Sequence, residues 1–476
     1  MPGSSYVDSI NRRRDEYHSS LATAEFFPYV FPINCLGHAL LVWRLTSIRK
    51  WSLHSRFFVV SIIMAHSLFL IRWSRSIGLA SGVVIGIAGV WSILITCNML
   101  LIHNPRTSFR RMILSSPHPK DHVLDNQING AGQQGIERQS MPTETLPKIF
   151  WALDLLGSLR LLHWSHNAST VQPTQSIAII TSDQSQYSSA KTCTIRLCLV
   201  YLAIDVLKEI VAVDPYFWGS TSAALPEQIQ SMLPLPGLGH AFRMIIALVL
   251  IYLAIALVTT TGQIVFIHIL GPRVAGTWGQ VWAYQPQNGH VMSIYTKGLR
   301  GFWGEYWHQM FRQTLTSIAT FLVQLLRLPN TGLSASCVRL FVPFILSGLI
   351  HAGGSFTMCG ETQPSCQFLF FLIQPLGIIL QLLCNRIIEN AIAKDKTRYH
   401  VLGISNVAFA MCWFLLTFPL LADDFAHGGL WLSEPFPISL MQVLGVGSKE
   451  RSHPLWLDWG VSWHMGRRWW QSGLAV

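Results

Sequence analysis

The chain has 476 residues, of which 50% are hydrophobic and only 12% carry a charged side chain. Soluble domains have about 25% charged residues, so this composition excludes an ordinary water-soluble protein. The net charge of +11 is spread over several loops instead of forming one dense basic block. This distribution argues against nucleic-acid binding and fits a membrane protein whose basic loops face the cytosol.

Segments without Asp, Glu, Lys or Arg recur along the chain and reach the roughly 18–20 residues that cross a bilayer core. They cover residues 26–43, 76–105, 244–272, 340–360, 362–385 and 399–422. Two weaker segments complete the set, because 57–71 is short and 195–213 contains four charged residues. The sequence therefore predicts an all-α polytopic integral membrane protein with about eight transmembrane helices.

The predicted spans divide the chain into parts of different character. A polar N-terminal tail covers residues 1–25, and the first three spans occupy 26–102. Residues 103–190 are rich in Ser, Gln, Asn and Pro, which is the composition of a linker, and we expect a mobile cytoplasmic loop there. A five-span core covers 191–422, and a C-terminal tail covers 423–476.

Basic residues in the loops set the predicted orientation. Residues 44–56 hold four basic side chains and no acid, and 273–339 hold several basic side chains with Glu305 as the one acid. We expect these loops to be cytoplasmic and both termini to lie on the opposite side. The first 25 residues are polar and contain NRRRDE, so we expect a retained membrane anchor and no cleaved signal peptide.

The stretch RGFWGEYWHQMFRQ, residues 300–313, concentrates polar groups in a chain that has few. If it forms a helix, its aromatic residues share one face, and Glu305, His308 and Arg312 lie among glycines on the other. The aromatic face suits the membrane interface. The polar face is either the solvated side of an interfacial amphipathic helix or a carboxylate–imidazole pair that a ligand can approach.

His351 lies about twelve residues into an otherwise apolar span. At 1.5 Å per residue this depth is roughly 18 Å, near the bilayer midplane. Its neighbours one turn away are small or polar: Ser347, Gly348, Gly354 and Ser355. An ionisable group within a span marks a functional site by default. The competing interpretation is a histidine that hydrogen-bonds a neighbouring helix for packing, and we expect this of the other histidines within spans.

Residues 300–312, RGFWGEYWHQMFR, closely resemble the signature of wax-synthase-type acyltransferases, a branch of the membrane-bound O-acyltransferases. The sequence SGLIH, which ends at His351, resembles the histidine-bearing span that follows in that family, and residues 201–217 resemble its fungal members. The resemblance is specific over residues 205–354. This chain departs from the pattern where many members have two basic residues, at Glu305 and Tyr306, and where members often read Arg-Gly, at Leu161–Leu162.

The resemblance implies transfer of an acyl group from a CoA thioester to a hydroxyl, within a catalytic core whose signature covers residues 273–360. His351 is the candidate general base, because an alcohol needs a proton acceptor and histidine titrates near the working pH. His308, or the indole of Trp303 or Trp307, is the candidate donor to the oxyanion. The residues assigned to acyl-CoA and substrate binding are Lys297, Arg300, Trp303, Glu305, Trp307, Arg312 and Ser347.

The expected co-substrates are acetyl-CoA and a hydrophobic terpenoid or meroterpenoid alcohol that enters from the bilayer, with no bound cofactor and no metal required. The expected location is the endoplasmic reticulum membrane. Transfer of an acyl group to a long-chain alcohol or a sterol is one alternative. A proton-coupled transporter or receptor that uses His351 and Asp205 is another, as is a catalytically inactive relative. Cys359 and Cys366 flank a short loop and form the one candidate disulfide pair.

Overall fold

The computed structural model describes residues 5–23, 25–28, 31–47, 52–76, 78–114, 136–161, 164–166, 187–233, 235, 237–284, 286–392, 396–435, 438–451 and 462–475. Helices dominate these ranges, which confirms the all-α membrane prediction. Within the described ranges, six helical segments are long and apolar enough to cross a membrane. They are Leu53–Trp73, Ala80–Ile102, Leu238–Gly279, Leu333–Thr357, Pro364–Ala391 and Lys396–His427.

Two of the eight predicted spans are helices that do not meet this standard. Phe31–Thr46 is helical over only 16 residues, which at 1.5 Å per residue is shorter than the bilayer core. Ala190–Val213 is long enough, with 24 residues, but carries Arg196, Asp205, Lys208 and Glu209. The prediction of about eight spans therefore counted one helix that is short and one that is highly charged.

We number the described α-helices in chain order. They are α1 (Tyr6–Ala22), α2 (Phe31–Thr46), α3 (Leu53–Trp73), α4 (Leu79–Cys97), α5 (Pro105–Ser108), α6 (Thr145–Gly157), α7 (Ala190–Val213), α8 (Glu227–Met232), α9 (Leu238–Gln263), α10 (Gly271–Ala275), α11 (Met292–Gly301), α12 (Arg312–Leu325), α13 (Leu333–Thr357), α14 (Pro364–Ala391), α15 (Lys396–Thr417), α16 (Pro419–His427) and α17 (Leu440–Val443). π-helical turns follow α4, α9 and α11 at Asn98–Ile102, Ile264–Leu270 and Phe302–Tyr306.

Short strands form small sheets beside the helices. The two-residue strands β1 (Phe27–Pro28) and β2 (Ser74–Arg75) pair in parallel, and β6 (Ser462–His464) pairs antiparallel with β7 (Gly473–Ala475). In the third sheet, β3 (Phe109–Leu114) lies between β4 (Ile136–Gln139) and β5 (Trp164–His166), antiparallel to both. This sheet and α6 fall inside residues 103–190, where a mobile loop was expected. Residues 115–135 and 167–186 of that segment lie outside the described residues.

Helices α4 and α13 pack closely through glycines. A Cβ atom on Gly86 would lie 1.8 Å from the carbonyl oxygen of Gly353, so only glycine permits this approach. Thr357 Oγ1 donates to the Gly82 carbonyl at 2.6 Å and accepts from the Gly86 N–H at 3.0 Å. Small residues and such hydrogen bonds commonly join helices in membranes. The contact fixes α13, which carries His351, and the glycines just after His351 are engaged in helix packing.

A buried ionic cluster joins α7 to the chain beyond α16. The Arg451 guanidinium donates to Asp205 Oδ1 at 2.7 Å and to Glu209 Oε1 at 2.7 Å, both on α7. It also donates to Glu434 Oε2 at 2.9 Å. Since a charged group inside a membrane protein needs a partner, these contacts explain how α7 tolerates its charges.

The cluster also includes the N-terminal helix. Tyr6 on α1 donates its hydroxyl to Glu434 at 2.6 Å, and Lys208 donates to the Trp431 carbonyl at 2.6 Å and lies 3.6 Å from Glu434. The segments near the two ends of the chain therefore meet on the same side of the helices. Asp205, which the transporter alternative assigned to proton coupling, is bonded to Arg451 in this cluster. Cys359 and Cys366 are free thiols.

The stretch from residue 300 to 313 is not one helix, so that prediction was wrong. Helix α11 ends at Gly301, a π-helical turn follows, and Trp307 is extended with φ −64° and ψ 149°. Side chains then bind carbonyls that a continuing helix would use. Arg312 donates to the Gly304 carbonyl at 2.5 Å, and Gln309 donates to the Trp303 carbonyl at 3.3 Å. The chain bends at residues 307–311 before α12 begins.

Candidate active site

His308 lies in this bend, between the π-helical turn and α12. Its ring packs 5.2 Å from the Trp307 ring and 6.4 Å from the Phe311 ring, measured between centroids. The Nδ1 atom is buried and has no hydrogen-bond partner among the described residues. Burial, helped by the positive charge of Arg160, lowers the pKa of His308 to about 4. The imidazole is therefore neutral near pH 7, with one nitrogen that donates and one that accepts.

Arg160 approaches His308 from the segment that follows α6. Its Nη1 donates to the Pro286 carbonyl at 3.0 Å, and burial lowers its own pKa. The next residue, Leu161, has φ 51°, in the left-handed region that favours glycine. Arg160 was not predicted to belong to the site, because it is far from His308 along the chain. One feature of the sequence could have pointed to Arg160: it directly precedes Leu161–Leu162, where the chain departs from the family pattern.

His351 projects from the last third of α13. Its ring stacks on Phe371 of α14 with centroids 4.4 Å apart and planes 24° apart. The Nδ1 atom is buried and, like that of His308, has no hydrogen-bond partner among the described residues. The two imidazoles lie close enough to interact electrostatically. The packing interpretation does not explain Nδ1 of His351, because no neighbouring helix in the described chain bonds it.

Trp303 forms part of an aromatic wall next to His351. Its ring centroid lies 5.6 Å from that of Phe344, 5.9 Å from that of Phe371 and 6.0 Å from that of Phe414. The indole N–H donates to Gln374 Oε1 at 3.3 Å. This donor was one candidate for oxyanion stabilisation, but it already has an acceptor. Trp303 therefore suits a role in shaping the aromatic interior of the site and not in binding the oxyanion.

Trp307 and Ser347 lie close to the two histidines. Trp307 stacks on Phe302 with centroids 5.5 Å apart and planes 19° apart, and its centroid lies 5.2 Å from that of His308. Ser347 is half-buried on α13, one turn before His351. Both are compatible with the contacts to substrate that were predicted for them.

The charged residues of the stretch lie at an exposed rim. Lys297 and Glu305 form an ion pair of 2.5 Å with side chains that are 50% and 48% exposed. Arg300 and Arg312 are also exposed, and Arg312 additionally holds the bend through the Gly304 carbonyl. The predicted site residues therefore form two groups. The exposed cations Lys297, Arg300 and Arg312 form a cationic rim. The tryptophans and the two imidazoles form an aromatic interior. Such an interior can pair a proton acceptor with a hydrogen-bond donor, while the rim can attract an anion.

Most residues of this site lie in the part of the chain that matches a known family. Residues 284–373 match the model of the membrane-bound O-acyl transferase family. The match is shorter than half of the chain but includes both His308 and His351.

Similar curated proteins come from fungi. The chain is 24% identical over 326 residues to the acetyltransferase eriL of Hericium erinaceus, which covers 67% of this chain and 78% of that protein. It is 30% identical over 182 residues to the acetyltransferase atnC of an Arthrinium species, covering 36% and 40%. It is 24% identical over 311 residues to the O-Mevalon transferase macI of Penicillium terrestre, covering 61% and 64%.

The membrane helices and these matches define the class: the protein is a membrane acyltransferase, and they support the membrane-bound O-acyltransferase family. Its substrates are accordingly an acyl donor and an alcohol acceptor. It is similar to enzymes of fungal metabolism that are named acetyltransferases, at the modest identities given above.

Proposed function

We propose that the protein transfers an acetyl group from acetyl-CoA to a hydroxyl of a hydrophobic terpenoid- or meroterpenoid-type metabolite. We place it in the wax-synthase branch of its class and in the endoplasmic reticulum membrane. Two relatives are named acetyltransferases, which supports acetyl as the acyl group. The name of a third relative specifies a different transferred group, so the experiment below varies the acyl donor.

One observation carries the proposal. His308 and His351 each have a buried Nδ1 atom without a hydrogen-bond partner among the described residues. Buried polar atoms in folded proteins are almost always bonded, so orphaned atoms of this kind suit contacts that form with substrate. The pair lies beside an aromatic wall to which α13 and α14 contribute Phe344 and Phe371, where an apolar acceptor can reach it.

The reaction follows from these two groups. As His351 accepts the hydroxyl proton, the alcohol oxygen attacks the thioester carbonyl carbon and a tetrahedral oxyanion forms. His308, held neutral by burial and by Arg160, donates its ring N–H to that oxyanion. The C–S bond then breaks, and the proton held by His351 returns to the CoA thiolate. The products are the acetate ester and free CoA.

The rim and the wall suit the two substrates. CoA carries phosphate groups, and Lys297, Arg300 and Arg312 are exposed cations beside the bend that holds His308. Arginine binds phosphate through charge-assisted hydrogen bonds. The acceptor would contact the ring of Trp303 and its phenylalanine neighbours, whose surfaces favour an apolar polycyclic skeleton over a polar one.

The test measures free CoA thiol and ester product in membranes that contain the protein. Acetyl-, octanoyl- and palmitoyl-CoA are compared, each with a hydroxylated terpenoid, a sterol and a long-chain alcohol. The proposal expects the fastest turnover with acetyl-CoA and the terpenoid. Faster turnover with palmitoyl-CoA and the long-chain alcohol or the sterol would instead support wax or sterol ester synthesis.

His351→Ala tests the assignment of the base. We expect product formation to fall by about 10²–10⁴-fold, the usual contribution of a general base, while the protein still inserts. His38→Ala is the matched control, because His38 also lies in an apolar helix but bonds Ser92 Oγ at 2.9 Å. Wild-type turnover in well-folded His351→Ala would refute the assignment.

A further inference from the structure

Three glutamines lie on one face of α14 at intervals of seven residues: Gln367, Gln374 and Gln381. Their exposed fractions are 0%, 0% and 3%. A primary amide buried among apolar helices is costly unless its polar atoms are bonded. Gln367 donates to Asp424 Oδ2 at 2.9 Å, and Gln381 accepts from the Leu299 N–H at 2.7 Å. Each glutamine therefore ties α14 to another part of the fold.

Gln374, the middle glutamine, binds two indoles at once. Its Oε1 accepts from Trp303 Nε1 at 3.3 Å and from Trp413 Nε1 at 3.1 Å. Its Nε2 donates to the Phe370 carbonyl at 2.9 Å. A carbonyl oxygen accepts two hydrogen bonds, so this oxygen is fully used. No leucine or methionine of similar size can replace these contacts.

The two indoles depend on Gln374 to different degrees. Trp413 is also wedged against α14, since a Cβ atom on Gly377 would lie 2.3 Å from Trp413 Cε2. Trp303 is surrounded by aromatic rings, and its centroid lies 5.9 Å from that of Phe371. Packing among such rings allows several orientations of the Trp303 indole, so its hydrogen bond to Gln374 selects one of them. Phe371 is the ring on which His351 stacks.

We propose that Gln374 is a positioning residue: its amide oxygen orients the Trp303 indole against Phe371 and so fixes the pose of the His351 ring. The inference rests on the proposed role of His351 as the base. Gln374 acts on the reaction through two intervening rings. Displacement of a reacting group by about 1 Å can cost about 10²-fold in rate, so a small change in this stack has a measurable effect.

Gln374→Leu removes the acceptor while keeping a similar volume. We expect kcat per folded molecule to fall about tenfold to hundredfold and KM for acetyl-CoA to stay within about twofold, because the cationic rim is untouched. Gln367→Leu is the matched control, since it lies seven residues earlier on the same helix and is equally buried. We expect it to lower the amount of folded protein but not kcat per folded molecule.

A double-mutant cycle distinguishes positioning from general packing. Trp303→Phe and Trp413→Phe each delete one donor to Gln374. We expect Gln374→Leu to be strongly non-additive with Trp303→Phe in kcat and nearly additive with Trp413→Phe. Equal coupling to both indoles, or unchanged kcat in folded Gln374→Leu, would show that the glutamine serves stability alone.

A readout that needs no turnover separates this inference from the proposed reaction. His351 is partly exposed, so its rate of modification by diethyl pyrocarbonate can be measured by peptide mass spectrometry. We expect at least a threefold change in that rate in Gln374→Leu and none in Gln367→Leu. An unchanged rate overturns the inference even if the enzyme is an acetyltransferase. If the modification rate changes in Gln374→Leu but the wild-type protein transfers no acetyl group, the positioning role of Gln374 is supported and the proposed reaction is rejected.

Discussion

Replacing Arg451 with Met would remove the cation that three carboxylates share. The Arg451 side chain is 6% exposed, and those of Asp205 and Glu434 are 2% and 7% exposed. In Arg451→Met, Lys208 alone would face Asp205, Glu209 and Glu434 within the described cluster. Removing one partner of a buried ion pair costs about 3–5 kcal/mol, because the remaining charge is uncompensated. We expect a loss of this size in the free energy of unfolding.

The pH dependence of this loss is a stricter test. Burial opposes ionisation of Glu434, but Lys208 and Arg451 together hold its pKa below the ordinary value. Without Arg451 that pKa rises, so the folded variant takes up a proton at Glu434 more readily than the unfolded chain does. A group with a raised pKa in the folded state costs stability at high pH, and the cost fades as the pH falls. The defect should be larger at pH 8 than at pH 5.5.

Lys297→Met provides the matched control. The Lys297–Glu305 distance of 2.5 Å is shorter than any contact of Arg451, but both side chains are about half exposed. Exposed ion pairs contribute only about 0–1 kcal/mol. Melting midpoints of the purified protein in detergent should therefore fall much further in Arg451→Met. Equal shifts in the two variants, or no recovery of Arg451→Met at pH 5.5, would refute the reasoning from burial.

Two further predictions concern the histidine in the bend and the topology. His308→Gln should lower the rate per folded molecule by about 10²-fold or more, as loss of an oxyanion donor does, measured by CoA release. The pKa of His308 is near 4 in the folded protein and about 6.5 for an unperturbed histidine. The melting midpoint should therefore fall as the pH decreases from 6.5 towards 4. If His308→Gln shows the same fall in melting midpoint, the lowered pKa of His308 is not its cause. Glycosylation acceptors at Glu361 should be modified and those beside Lys297 should not. The NAS sequence at Asn167, outside the described residues, should stay bare, and its modification would require a different topology.

Composition and hydropathy predicted the fold class well because the membrane imposes a simple rule on sequence. A bilayer span must be apolar over about 20 residues. The six described helices that are long and apolar enough to cross a membrane were all anticipated, α3 despite Arg56 and Arg72 near its ends. The rule fails for α7, whose charges are compensated by Arg451 and Glu434 from the far end of the chain. The local sequence of α7 does not indicate these distant partners.

The site was only partly predictable for a similar reason. The polar character of His308 and His351 could be read locally, since one lies among aromatics and the other within an apolar span. The course of the chain between residues 302 and 311 could not, because the bend depends on bonds from Gln309 and Arg312 to preceding carbonyls. Arg160 and Gln374 act on the site through tertiary contacts, which periodicity does not reveal.

The ionic cluster also constrains the order in which the protein can be completed. Helix α7 is synthesised before residues 434–451 have been made, so Asp205, Lys208 and Glu209 spend that interval without their C-terminal partners. During the same interval α1, which precedes α7 in the chain, lacks the carboxylate that binds Tyr6. The immature chain should therefore be a substrate for membrane chaperones and quality control until Arg451 arrives. A ribosome stalled before that residue should leave a protein that is inserted but loosely assembled.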